Sequence, residues 1–177
     1  MRLKSQRNCI SLEENIMNLF NRKRIHIDYG NFNIFSLMSM LKDGLDLSPD
    51  YQRGDEWNIE DQQAFIKSIF KGYEIGRVVI REIHTLDCIG EVVDGKQRIT
   101  AIRDFIEGKF SIQGFYYEDL DEDDNRMFMD SKLSLGFIRE DVPYKDILGI
   151  FIEINSRGRV VSKEHIEKVR SQLEDLK

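Results

Sequence analysis

Residues 94–98, Asp-Gly-Lys-Gln-Arg, combine one carboxylate, a glycine and two cations where a helical pattern begins. Helix starts favour Asp and Glu, because exposed N–H groups and the helix dipole make that end partly positive. Lys96 and Arg98 therefore add positive charge where it is least favourable, unless an anion such as a phosphate binds there. The segment predicts an anion site at this helix start.

The residue types in this segment suggest how such a site would work. Asp94 could hold Mg²⁺ or act as a general base, and Gly95 would let the backbone approach a ligand closely. Arg98 falls on the apolar side of the helix, where a guanidinium needs an anionic partner. Alternatively, Asp94 caps the helix and Arg98 pairs with an internal carboxylate; the residues alone leave both interpretations open.

A second candidate segment is Tyr51-Gln52-Arg53, which precedes Trp57. Arg53 offers a bidentate fork for a phosphate, and Tyr51 offers a ring on which a base could stack. The alternative is a surface loop that Tyr51 and Trp57 anchor in the core.

A third candidate segment is 155–159, Asn-Ser-Arg-Gly-Arg, between two predicted helices. Asn155 could hydrogen-bond to a nucleotide, and Arg157 or Arg159 could clamp a phosphate. A helix C-cap turn explains the asparagine and the glycine equally well.

The composition limits the classes of protein to consider. The chain has 177 residues, a net charge of −6, 41% hydrophobic and 33% charged residues, which predicts one globular domain. The negative charge argues against binding nucleic acid by bulk electrostatics, and no apolar run approaches the length of a membrane span. Neither the two cysteines nor the three histidines have metal-site spacing. We expect a cytoplasmic protein without a membrane partner.

Hydrophobic periodicity predicts the elements that must position these candidates. We expect an α+β domain with a small mixed sheet surrounded by helices. The predicted strands are 25–27, 78–80, 89–93, 110–115 and 133–138. The predicted helices are 11–20, 35–41, 58–70, 96–106, one that starts at the acidic run 121–124, 143–151 and one that Ser162 caps.

Taken together and in this order, the segments resemble the N-terminal domain of GmrSD-type, modification-dependent restriction enzymes, which has a ParB/sulfiredoxin-like fold and a D-G-Q-Q-R signature. The resemblance runs from about residue 48 to residue 165. It rests on Tyr51-Gln52-Arg53, Trp57, Ile66-x-Ser68-Ile69, Val92-Val93-Asp94-Gly95-x-Gln97-Arg98-Ile99-Thr100-Ala101, Phe105 and Phe151-x-x-Ile154-Asn155-x-x-Gly158.

The resemblance implies an NTP-binding domain of a restriction system, in a prokaryotic cell or a phage-infected host, with weak Mg²⁺-dependent NTP hydrolysis. The implied catalytic residues are Asp94, Gln97 and Arg98, with Asp94 as the Mg²⁺ ligand. The implied nucleotide and phosphate contacts are Tyr51, Gln52, Arg53, Gly95, Lys96, Arg98 and Asn155. On this basis residues 1–45 form a lead-in packed on the core, and residues 46–177 form the ParB-like domain.

The sequence departs from the family pattern in three places. Lys96 replaces the usual Gln of the signature, and residues 73–76, Tyr-Glu-Ile-Gly, replace a proline-containing segment. A His-Asn-His nuclease domain does not follow Asn155, so we expect no DNA cleavage by that route.

The rival hypothesis is a non-catalytic interaction module. Such a module would be the regulatory half of a split nuclease or a phage-borne modulator of a defence complex. A DNA-binding version would use Arg2, Lys4, Arg7 and the cluster 22–24, Arg-Lys-Arg.

Overall fold

A computed structural model describes residues 24–52, 57–156 and 163–175 of the chain. Side-chain placement within the last helix is described from Val169 onward. In chain order the elements are β1 (Asp28–Asn33), α1 (Ile34–Lys42), β2 (Leu45–Asp46), α2 (Ile59–Phe70), β3 (Arg77–Glu82), β4 (Gly90–Asp94), α3 (Lys96–Ile106), a 3₁₀ turn (Tyr117–Asp119), α4 (Glu122–Asp130), β5 (Lys132–Ile138), α5 (Tyr144–Ser156) and α6 (Lys163–Asp175).

The strands form one five-stranded mixed sheet in the order β1-β5-β3-β4-β2. β1 is antiparallel to β5, and β5 is parallel to β3. β3 is antiparallel to β4, and β4 is parallel to the short edge strand β2. The predicted α+β class with a small mixed sheet is confirmed.

Both faces of the sheet are covered, which explains the uninterrupted apolar runs in its central strands. Side chains alternate between the faces along a strand, so Val78 and Ile80 enter one core while Val79 enters the other. The first core is shared with α1, α2, α3 and α4. The second is shared with α5 and α6, and Tyr51 belongs to it.

Side-chain caps fix the start of three helices. The side chains of Asn33, Asn58 and Asp121 accept hydrogen bonds from the backbone N–H three residues later, at 2.9, 2.8 and 2.8 Å. Such caps satisfy N–H groups that have no partner within the helix. The predicted starts at Asn58 and Asp121 are therefore confirmed. α3 begins differently, and this difference shapes the candidate site.

Two predicted strands are wrong. Residues 25–27 have no regular structure, and the strand begins at Asp28. Residues 110–115 form a tight turn in which Ile112 bridges Phe115, with positive φ at Gln113 and Gly114. The helix predicted for residues 143–151 extends to Ser156.

The described part of the predicted lead-in packs on the core of the same domain. β1 pairs with β5 along its whole length, and α1 contributes Ile34 and Leu37 to the first core. The predicted helix over residues 11–20 lies outside the described residues. No helix in the described ranges has the length and apolar character needed to cross a membrane.

Candidate functional site

The C-terminal end of β4 carries an irregularity that Gln52 stabilises. Val79 pairs with Asp94 and Ile80 pairs with Val92, so Val93 is an extra residue in β4. Bulges of this kind are common beside functional sites, where they redirect the chain. The Gln52 amide nitrogen donates to the carbonyl oxygens of Val92 and Val93, at 2.9 and 3.0 Å. Both of its N–H donors thus hold the strand that leads to Asp94.

The turn from β4 into α3 requires a glycine. Gly95 is the N-cap residue, with φ of +97°, and a Cβ there would lie 2.7 Å from Cγ2 of Val78. Because a glycine has no side chain, it leaves the first turn of α3 without a side-chain cap. Asp94 therefore does not cap this helix; the other part of that interpretation, an Arg98 that pairs with a carboxylate, stays open.

Arg98 lies in the first turn of α3 with its guanidinium against Gly76, where a Cβ would be 3.0 Å from Nε. Its Nη1 donates to the carbonyl oxygen of Arg77 at 2.9 Å and lies 3.9 Å from Oδ2 of Asp94. Nε and Nη2 have no hydrogen-bond partner among the described residues. Arg98 is held in place while part of its guanidinium stays available to an anion.

These residues border an open cleft of about 310 Å³, at the lower end of the range for small-molecule sites. Its lining consists of Gln52, Trp57, Val93, Asp94, Gly95, Lys96, Gln97, Arg98 and Asn155. The Lys96 ammonium at its edge lies 3.2 Å from Oγ of Ser48. Two cations, one carboxylate and the partly positive end of a helix therefore meet in one place.

Trp57 reaches the cleft although the site prediction did not include it. Oε1 of Gln97 accepts a hydrogen bond from the backbone N–H of Trp57 at 3.2 Å. The Trp57 indole packs edge-on against Phe65, with ring centroids 5.3 Å apart. Gln97 thus helps to hold the backbone of Trp57 in place. Its position shortly after the second candidate segment was the signal that could have identified Trp57.

Tyr51, by contrast, lies in the core and not in the cleft. Its side chain is fully buried, its ring packs edge-on against Phe151, and its hydroxyl donates to Oε1 of Glu91 at 3.1 Å. Burial, followed by the Glu91 carboxylate, raises the pKa of Tyr51 far above its ordinary value of 10.0. A base cannot stack on a ring that is enclosed in this way, so Tyr51 anchors the loop that carries Gln52.

The remaining predicted residues divide into two groups. Asn155 lines the cleft, and its amide nitrogen donates to the carbonyl oxygen of Phe151 at 2.8 Å. Arg53, Arg157 and Arg159 lie outside the described residues. The same holds for the basic residues proposed for DNA binding, Arg2, Lys4, Arg7, Arg22 and Lys23.

A divalent metal would have one protein carboxylate to bind here. Across the described ranges, no three His, Cys, Asp or Glu side chains come together as a metal-binding group. Mg²⁺ is commonly held by one or two carboxylates together with substrate phosphates. Asp94 fits that mode, in which a phosphate ligand brings most of the coordination.

The structure is an α+β domain with a cleft, lined by two cations and one carboxylate, at the junction of β4 and α3. The chain belongs to the family of GmrSD restriction endonuclease N-terminal domains, whose family model matches residues 34–172. All of the cleft-lining residues fall within the matched range. No curated protein matches the sequence.

Among solved structures, the chain is similar to one described as the C2221 form of the Pnob8-like ParB-N domain. The two share 10% sequence identity with a TM-score of 0.45. The match covers 87% of this chain and 47% of the other, so this chain spans about half the length of that relative. At this level of similarity no functional conclusion follows from it.

Proposed function

We propose that this domain binds a nucleoside triphosphate in the cleft at the junction of β4 and α3 and hydrolyses it slowly with Mg²⁺. The observation that carries the proposal is the meeting of Asp94, Lys96 and Arg98 in one cleft at a helix start without a side-chain cap. Phosphoryl transfer depends mainly on positioning and on neutralising phosphate charge, and these residues supply both. The family assignment supports a role in a restriction system.

The roles of the individual residues follow from their geometry. Arg98, fixed against Gly76 and the carbonyl oxygen of Arg77, would bind phosphate oxygens with its remaining N–H groups. Lys96 would add a second positive charge, as a point charge rather than a fork. Asp94 would hold Mg²⁺ or orient the attacking water. Gln52 and Gln97 would act as positioning residues, because each contacts the backbone that forms the site.

Binding of each NTP with Mg²⁺ tests the proposal, measured by calorimetry and by phosphate release. Arg98→Gln should weaken binding roughly 10- to 100-fold, the value of a charge-assisted hydrogen bond. Arg103→Gln is a matched control, because Arg103 lies on the same helix with a similar exposed fraction but pairs with Asp104 outside the cleft. The proposal is wrong if no NTP binds, or if both variants bind as the unmodified protein does.

A further inference from the structure

The cleft contains one surface that phosphate chemistry alone does not require. Its lining is polar or small, apart from Val93 and Trp57. Arg98, Lys96 and Asp94 account for binding a polyphosphate and a metal, and none of them needs an aromatic neighbour. Within the described lining, Trp57 is the one aromatic side chain.

Three contacts fix Trp57 in this position. Its backbone N–H donates to Gln97 at 3.2 Å, and its carbonyl oxygen accepts from the amide nitrogen of Gln62 at 3.3 Å. The ring rests edge-on against Phe65. In a T-shaped pair the edge of one ring meets the face of the other, so this contact covers at most one face of the indole, and the side chain also packs against the first core. Trp57 is therefore half-buried yet borders the cleft.

The link between Trp57 and Gln97 joins the aromatic surface to the phosphate end of the cleft. Gln97 lies between Lys96 and Arg98 in the first turn of α3. Its side chain accepts from the backbone N–H of Trp57, which ties the Trp57 backbone to the first turn of α3. A ligand with a planar ring and a phosphate chain would contact both.

From this arrangement, and resting on the proposed function, we infer that Trp57 is the stacking surface for the base of the nucleotide. The ligand class is then a nucleoside polyphosphate and not an inorganic polyphosphate. Stacking on an aromatic side chain tolerates different bases, because each base has a π-face. The cleft should therefore bind several nucleoside triphosphates with similar affinity.

Tryptophan fluorescence tests this inference on the unmodified protein, because Trp57 is the one tryptophan of the chain. Titration with each of the four ribonucleoside triphosphates and Mg²⁺ should quench the emission, after correction for absorption by the ligand. Tripolyphosphate with Mg²⁺, with binding followed by calorimetry, should bind more weakly and cause little quenching.

Variants separate stacking from a structural role of the side chain. Trp57→Leu should weaken NTP binding roughly 5- to 100-fold and leave the affinity for tripolyphosphate unchanged, whereas Trp57→Phe should retain most of the NTP affinity. Tyr73→Leu is the control, because Tyr73 is exposed but lies outside the cleft and should change neither affinity.

The possible outcomes distinguish this inference from the function on which it rests. If NTPs and tripolyphosphate bind equally well, or if Trp57→Leu weakens both to the same extent, Trp57 does not stack on a base and the inference is wrong. The proposed phosphate site would survive that result. If neither ligand binds the unmodified protein, the proposed function itself fails.

Discussion

Strand β4 carries two carboxylates, and each faces an arginine, but the two pairs differ in almost every other respect. Glu91 lies 3.2 Å from Arg81, with 10% and 18% of the side chains exposed. Asp94 lies 3.9 Å from Arg98, with 28% and 33% of the side chains exposed. The first pair lies within the fold, and the second borders the cleft.

The surroundings of the two pairs differ as much as their distances. Glu91 also accepts a hydrogen bond from Tyr51, and the Arg81 guanidinium lies over the ring of Tyr144, 5.7 Å from its centroid. The carboxylate of Asp94 has no hydrogen-bond partner among the described residues, and its distance from Arg98 is too long for a hydrogen bond. The buried pair is committed to protein contacts, whereas the open pair can exchange its weak contact for a ligand.

This contrast assigns different tasks to the two ends of β4. The pair of Glu91 and Arg81, through Tyr51, fastens the loop whose next residue, Gln52, holds the bulge in β4. The bulge and Gly95 then set the direction of Asp94 and of α3. We therefore expect changes at Glu91 to lower stability and changes at Asp94 to lower activity.

The largest expected effect is that of Glu91→Ala. Removing one partner of a buried ion pair leaves the other charge uncompensated, which costs about 3–5 kcal/mol of unfolding free energy. Here the cost falls on Arg81, whose buried Nε already has no hydrogen-bond partner within the described part of the chain. Denaturant unfolding measures the effect.

A double variant provides the control for this first prediction. Replacing both charges, as in Glu91→Met with Arg81→Leu, should recover part of the loss, because no unpaired charge remains buried. A loss below about 1 kcal/mol for Glu91→Ala would place this pair in the class of surface ion pairs and remove the contrast with Asp94.

The next effect is that of Tyr51→Phe, which should cost about 1–3 kcal/mol at neutral pH by removing a buried hydrogen bond to a carboxylate. It should also change the response to alkaline pH. Burial raises the pKa of Tyr51 in the folded protein, so the phenol ionises near pH 10 only in the unfolded chain. The stability that it contributes is complete below about pH 10 and falls above it, by about 1.4 kcal/mol per pH unit.

Unfolding measured on both sides of pH 10 tests this pH dependence. Tyr51→Phe should lose part of the alkaline slope and not all of it, because burial also raises the pKa of Tyr144. Identical slopes for the variant and the unmodified protein would show that Tyr51 ionises alike in the folded and unfolded states. That result would contradict the burial of the Tyr51 hydroxyl beside Glu91.

Local signals in the sequence were sufficient for the helices and the central strands. Asn58 and Asp121 sit directly before apolar helical patterns and do cap them. β1 was missed because its sequence, Asp-Tyr-Gly-Asn-Phe-Asn, has little strand propensity. It forms by pairing with β5, whose residues are 99 to 109 positions away in the chain, and no local pattern carries that information.

The candidate site shows the same limit at the level of single side chains. The sequence identified Asp94, Gly95, Lys96, Gln97 and Arg98 as one group, since they are consecutive, and the structure brings Asn155 to the same cleft. It offered Tyr51 as a ring on which a base could stack, but the structure buries that ring. The burial depends on Glu91, which gives the Tyr51 hydroxyl a partner inside the fold, and no spacing rule connects the two residues.

The smallest expected effect on stability, and the sharpest test of the contrast, is that of Asp94→Ala. A long and partly exposed ion pair contributes at most about 1 kcal/mol, so the variant should unfold almost as the unmodified protein does. If Asp94 holds Mg²⁺ or orients water, NTP turnover should fall roughly 100-fold or more.

Asp123→Ala is the control for this prediction. It removes another carboxylate that faces an arginine, Arg126, on the surface and outside the cleft, and it should leave turnover unchanged. A large loss of stability with unchanged turnover would show that Asp94, like Glu91, serves the fold.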